Sequence, residues 1–80
     1  MIDDHSLRGL IQLTMPDARV EVQDRTGTMD HFNVRVASEA FAGKTLIEQH
    51  RMVYAALGPA LRDGRIHAVE LKTELLERPA

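Results

Sequence analysis

Cysteine is missing from all 80 residues, which removes disulfides, thiolate nucleophiles, cysteine-based zinc sites and self-contained iron–sulfur ligation. Any thiolate ligand must come from a partner. Charge of one sign is scarce as well: ten Lys and Arg against twelve Asp and Glu leave a formal net charge of -2. Such a chain has no long-range field to draw it to phosphate backbones, which counts against a dedicated nucleic-acid binder while leaving room for a local basic patch. No apolar run approaches the roughly 20 residues of a membrane span. Met1-Ile2-Asp3-Asp4-His5 lacks both the basic n-region and the apolar h-region of a secretory signal, so the cytoplasm is the expected compartment. Internal repeats, low-complexity stretches, linkers and heptads are also absent, and residues 1–80 read as a single domain.

Motifs for catalysis are missing too. Gly43-Lys44-Thr45 suggests a phosphate loop, but that loop needs a second glycine five residues before Gly43, where Ser38 stands. Gly43 therefore reads as a turn that opens a helix. No nucleophile, base and orienting group fall into a recognisable pattern, so the chain is expected not to be an enzyme.

What is present is hydrophobic periodicity. Asp3 or Asp4 can cap a first helix with Leu7, Leu10, Ile11 and Met15 at spacings of three and four, and Pro16 stops it. Gly9 weakens that helix by about 1 kcal/mol. Residues 18–23 and 31–36 alternate apolar and polar side chains, predicting two strands joined through a turn at Asp24 to Asp30 in which Gly27 can take positive φ. Val20 and Val22 are the inward residues. Phe41 is the expected apolar plug between sheet and helix. The second helix is predicted from Thr45 to Leu57, with Leu46, Ile47, Val53, Tyr54 and Leu57 on a core face and Leu61 beyond. Gly58-Pro59 is expected to break it, leaving a short appended helix before Asp63-Gly64. The last strand is expected over Ile66 to Thr73. The right-handed crossover rule sets that strand parallel to one strand of the hairpin. The fold class is thus α+β, in the order α-β-β-α-(short α)-β: a three-stranded mixed sheet with helices on one face.

Two kinds of residue could carry function. His50 lies beside the apolar stripe of the second helix and reads as a hydrogen-bonded histidine at the core edge; His5 reads as solvated. His67 stands at the mouth of the last strand and His31 at the start of the second. By spacing alone His67 is a structural histidine, since neutral imidazole is a normal metal ligand but one imidazole does not make a site. The basic residues Arg35, Lys44 and Arg51 flank the Gly43 turn and the second helix, where a phosphate contact is conceivable. Glu39, Glu48 and Asp63 dilute that charge.

Taken together, Val34-x-Val36-x-Ser38-x-x-Phe41-x-Gly43-Lys44, Gln49-His50-Arg51-Met52-Val53-Tyr54-x-x-Leu57 and Ile66-His67-Ala68-Val69 resemble the BolA-like family, from the first helix to Thr73. The resemblance implies a fold similar to the type II KH domain. It also implies a non-enzymatic partner of a monothiol glutaredoxin, monomeric or weakly dimeric when alone. The two proteins would share a [2Fe–2S] cluster with the glutaredoxin's glutathione, in a role in iron–sulfur trafficking, iron-status regulation or stress response. In that family the histidine matching His67 is a cluster ligand. Many relatives carry a second ligand in a longer first hairpin loop. The Asp24 to Asp30 turn is short and holds neither Cys nor His. The resemblance matches His31 to the family's histidine before the aromatic residue of strand two and so implies it as a substitute, the alternative being a chain that binds its glutaredoxin with one protein ligand or without a cluster. The family's alternative role, transcriptional regulation through DNA, would use the Phe41-Ala42-Gly43-Lys44 turn and the second helix, with Lys44, Arg51 and Arg35 on phosphates.

Overall fold

Asp3 caps the first helix by accepting a 2.7 Å hydrogen bond from the Ser6 N–H. In the computed structural model, which describes residues 2–24 and 31–76, this helix, α1, spans Asp4–Thr14. The Met15 N–H closes on the Ile11 carbonyl at 3.0 Å just before Pro16. The spacing of Leu7, Ile11 and Met15 puts all three in the core.

Strand β1 (Arg19–Asp24) pairs antiparallel with β2 (His31–Ser38), and β3 (Ala68–Leu75) pairs parallel with β2, giving the order β1-β2-β3. The registers are in phase. Val20 faces Val36 and Val22 faces Val34, while Phe32 and Val34 face Val69 and Leu71. One face of the sheet is therefore apolar and continuous, and both helices bury their stripes on it. The other face presents Glu21, Arg35, Glu70 and Lys72 to solvent. The three-stranded mixed α+β architecture expected from periodicity is the one observed.

Three local expectations are corrected. Helix α2 spans Leu46–Arg62 without a break, so the short appended helix does not exist as a separate element. Pro59 deprives only the Ala55 carbonyl of its donor, and Ala55 is exposed, where water can satisfy it. The Asp63 N–H then bonds to the Pro59 carbonyl at 3.1 Å and closes the last turn. Second, Leu46, Ile47 and Tyr54 lie in solvent, at 61%, 66% and 41% exposure. Of the expected core face Val53 and Leu57 are buried, and the stripe is completed by the small residues Ala56, Gly58 and Ala60. Third, β3 begins and ends two residues later than expected.

A 3-10 turn, Glu39–Phe41, follows β2 and drives Phe41 into the core at 1% exposure. Ser38 holds it. Its hydroxyl donates to Asp17 Oδ1 at 2.8 Å and accepts from the Ala40 N–H at 3.1 Å, while Asp17 Oδ2 accepts from the Glu39 N–H at 2.8 Å. Among the described residues, no helix is long and apolar enough to cross a membrane.

Candidate functional site at one end of the sheet

The connection from α2 to β3 is short and well tied. Gly64 takes φ +82, in the left-handed region that glycine tolerates at no steric cost. The Asp63 carboxylate accepts from the Arg65 N–H at 3.0 Å and from Arg65 Nε at 2.8 Å. Those bonds hold the Asp63 carboxyl below the usual carboxylate range, the Arg65 backbone N–H contributing most. Ile66 then enters the core at 2% exposure, and its N–H donates to the Ala60 carbonyl at 3.1 Å. His67 follows directly and is exposed.

Because β2 and β3 run parallel, they start at the same end of the sheet. Their register partners His31 with Ala68, so His67 sits one residue before the partner of His31. Neighbouring strands lie ~4.8 Å apart, so residues 31 and 67, remote in sequence, occupy adjacent backbone positions. The turn expected to contain Gly27 and Asp30 joins β1 to β2 at this same end and lies outside the described residues. Among the described residues, no group of three or more His, Asp or Glu side chains is arranged to hold a metal ion. With no cysteine, the chain has no thiolate of its own to offer at this end. A [2Fe–2S] cluster needs four ligands, so residues 31 and 67 fit it only as part of a set that another molecule completes.

The basic residues are arranged differently. Gly43 has φ +72, and the Lys44 N–H donates to the Phe41 carbonyl at 3.0 Å, while Gln49 Nε2 donates to the Lys44 carbonyl at 3.0 Å. Thr45 and Glu48 form a capping box: the Glu48 N–H donates to Thr45 Oγ1 at 3.2 Å and the Thr45 N–H to Glu48 Oε1 at 3.1 Å. The Thr45 hydrogen bonds, with smaller help from the charges of Lys44 and Arg51, hold the Glu48 carboxyl below its usual range. The Glu48 carboxylate is thus within electrostatic reach of both cations. Arg35 does not join them: it lies on the solvent face of the sheet, opposite the helices. Its guanidinium bonds Glu74, with Nε at 2.7 Å from Oε1, and approaches Glu21 at 4.0 Å. The hydrogen bond that Arg35 donates to Glu74 makes the guanidinium hold its proton more tightly than usual.

Sequence reasoning did not anticipate an open depression of about 550 Å³ on that solvent face, lined by Glu21, Gln23, Asn33, Arg35, Glu70 and Lys72 among others. The signal was available in the polar half of each strand's alternation. The exposed apolar residues at the start of α2 carried no such signal, because their spacing is also that of a core face.

The geometry defines a class: a two-layer α+β domain whose single crossover brings two histidine positions to one end of a mixed sheet. The model of the family described as BolA-like protein matches residues 12–77, and the chain belongs to that family. The chain is similar to BolA-like protein 2 of Homo sapiens, with 41% identity over 69 residues covering 84% of this chain and 78% of that protein. Among solved structures it resembles BolA1 from Arabidopsis thaliana, with a TM-score of 0.80 and 27% identity covering 98% and 100% of the two chains. The BolA domain of SufE1 from Arabidopsis thaliana gives a TM-score of 0.77 and 27% identity, covering 94% and 95%.

Proposed function

We propose that the chain is a non-enzymatic partner of a monothiol glutaredoxin and co-ligates a [2Fe–2S] cluster shared with that protein and its glutathione, in iron–sulfur trafficking or iron-status regulation. The observation that carries this reading is the parallel β2–β3 register, which sets His67 beside the start of β2 in a chain with no cysteine of its own. Imidazole replaces thiolate on one iron of Rieske-type centres, so a cluster with thiolates from the partner and imidazole from this chain is chemically sound. His67 is the first ligand and His31 the second. Membership of the BolA-like family supports the same reading.

The test is to mix the purified chain with a glutathione-loaded, cluster-bearing monothiol glutaredoxin and record visible circular dichroism. The spectrum should change on mixing, and His67→Ala should abolish most of the change. Identical spectra with the wild type and His67→Ala would refute the ligand assignment.

The alternative, DNA binding by Lys44, Arg51 and Arg35, has less support. Glu48 lies beside the first two and Arg35 is committed to Glu74 on the other face.

A further inference from the structure

Several arginines are spent inside the fold. Arg8 Nε donates to the Val20 carbonyl at 3.2 Å, and Arg35 is paired with Glu74. Arg62 turns back along α2, its Nη1 lying 2.9 Å from where a Cβ on Gly58 would stand. Arg65 is different. Asp63 Oδ2 accepts from its Nε at 2.8 Å, which uses one of the five N–H donors of the guanidinium. Among the described residues, neither of its Nη groups has a hydrogen-bond partner. The Arg65 side chain is 41% exposed, and buried Ile66 separates it from exposed His67, so both flank a core anchor on the solvent side. Residues 65 and 67 are at most about 7 Å apart along the chain.

We propose that Arg65 is an anion-recognising residue of the His67 site: its two Nη groups donate to a carboxylate that the partner brings beside the shared cluster, and Asp63 holds it in place to do so. The proposal rests on the glutaredoxin reading above and deepens it by naming a second contact and its chemistry. A guanidinium fixed through Nε presents its Nη edge as a planar fork, the geometry that matches the two oxygens of a carboxylate. Asp63 offsets much of the charge of Arg65, so the contact acts through geometry at short range and adds little long-range steering. The occupant follows from what the chain lacks. With no cysteine of its own, it meets thiolates only on molecules that carry other charged groups. A thiol supplied as glutathione brings carboxylates a few bonds from its sulfur. An acidic side chain of the glutaredoxin offers the same chemistry.

Titrating the purified chain into a glutathione-loaded, cluster-bearing monothiol glutaredoxin, followed by visible circular dichroism, gives an affinity and a spectrum at saturation. Arg65→Ala should weaken binding by about tenfold or more, the usual loss for a hydrogen bond to a charged group. At saturation it should still reach the wild-type spectrum, because the ligands are unchanged. Arg65→Lys should fall between the two, since an ammonium cannot form the fork. Arg62→Ala removes the same charge three residues away and should stay within about twofold of the wild type. Loading the glutaredoxin with the glycine ethyl ester of glutathione separates the sources: the Arg65→Ala loss disappears if the glycine carboxylate is the one bound, and persists if the carboxylate is another. The Asp63 carboxylate keeps its bond to the backbone N–H of residue 65 in every variant, so the turn should hold; far-UV circular dichroism checks that. Arg65→Ala binding as tightly as the wild type, an equal loss with Arg62→Ala, or an altered spectrum at saturation would each overturn the proposal. If wild type and His67→Ala give the same spectrum, the glutaredoxin reading itself fails and the role of Arg65 falls with it.

Discussion

Removing the Ser38 hydroxyl should cost far more than a surface substitution. Ser38 has no exposed surface, and its hydroxyl donates to Asp17 while accepting from the Ala40 N–H that begins the 3-10 turn. In Ser38→Ala both bonds are lost at once, and the Ala40 N–H keeps no side-chain acceptor. Asp17 and Ala40 are themselves exposed, so the loss is that of two part-buried hydrogen bonds at about 0.5–1.5 kcal/mol each, about 1–3 kcal/mol together. In a domain of 60–100 residues each kcal/mol moves the melting temperature by about 4–8 °C, so Ser38→Ala should melt roughly 5–20 °C below the wild type. Thermal unfolding followed by far-UV circular dichroism measures this. A double-mutant cycle sharpens it: Asp17→Ala removes the other half of the same contact, so the two losses should be sub-additive by about 0.5 kcal/mol or more. A Ser38→Ala loss below about 0.5 kcal/mol, the range of ordinary surface changes, or strict additivity with Asp17→Ala, would refute the view that this pair clamps the end of β2.

Other outcomes follow from the same geometry. Gly9 lies inside α1, and a Cβ there would meet nothing within 4 Å, so Gly9→Ala should raise stability by about 0.5–1 kcal/mol in urea titrations. Pro59→Ala should also stabilise, by about 1–2 kcal/mol: it gives α2 back a hydrogen-bond donor and outweighs the added unfolded-state entropy. A fall in melting temperature would show that the ring packs usefully. The carboxyls of Asp3, Glu48 and Asp63 are all held below their ordinary values, chiefly by backbone N–H groups of Ser6, Thr45 and Arg65. A lowered folded-state pKa means stability that is whole above the unfolded value and lost as pH falls through the folded one. Melting temperature should therefore be flat above about pH 5 and decline below about pH 4. Glu48→Gln should shallow that decline.

The two helices, the hairpin and the parallel third strand were legible because each rests on a local period that survives folding. Leu7 and Ile11 can share a face only in a helix, and Val20 and Val22 only in a strand. The errors arose where two physical readings share one pattern. Leu46 and Ile47 recur at core spacing, yet they lie in the first turn of α2 and are exposed. Pro59 usually ends a helix, but here the carbonyl it strands lies on the wet side. At the candidate site, His67 drew notice through the company of Ile66 and Ala68, whereas its nearness to His31 depends on strand register. Register is a property of two segments packed together, and neither segment states it alone.

The parallel pairing of β2 with β3 also sets what can change without consequence. His67 is positioned by Ile66 in the core and by the β2–β3 register, and neither involves the six-residue connection between Asp24 and His31. That connection can lengthen, shorten or exchange its residues while β1 and β2 keep their pairing from Asp24 and Phe32 onward. Both histidine positions are thus built into the frame, His31 as the first residue of β2 and His67 just before β3, with the connection an interchangeable part beside them. A lineage could therefore rewrite that connection without moving either histidine position.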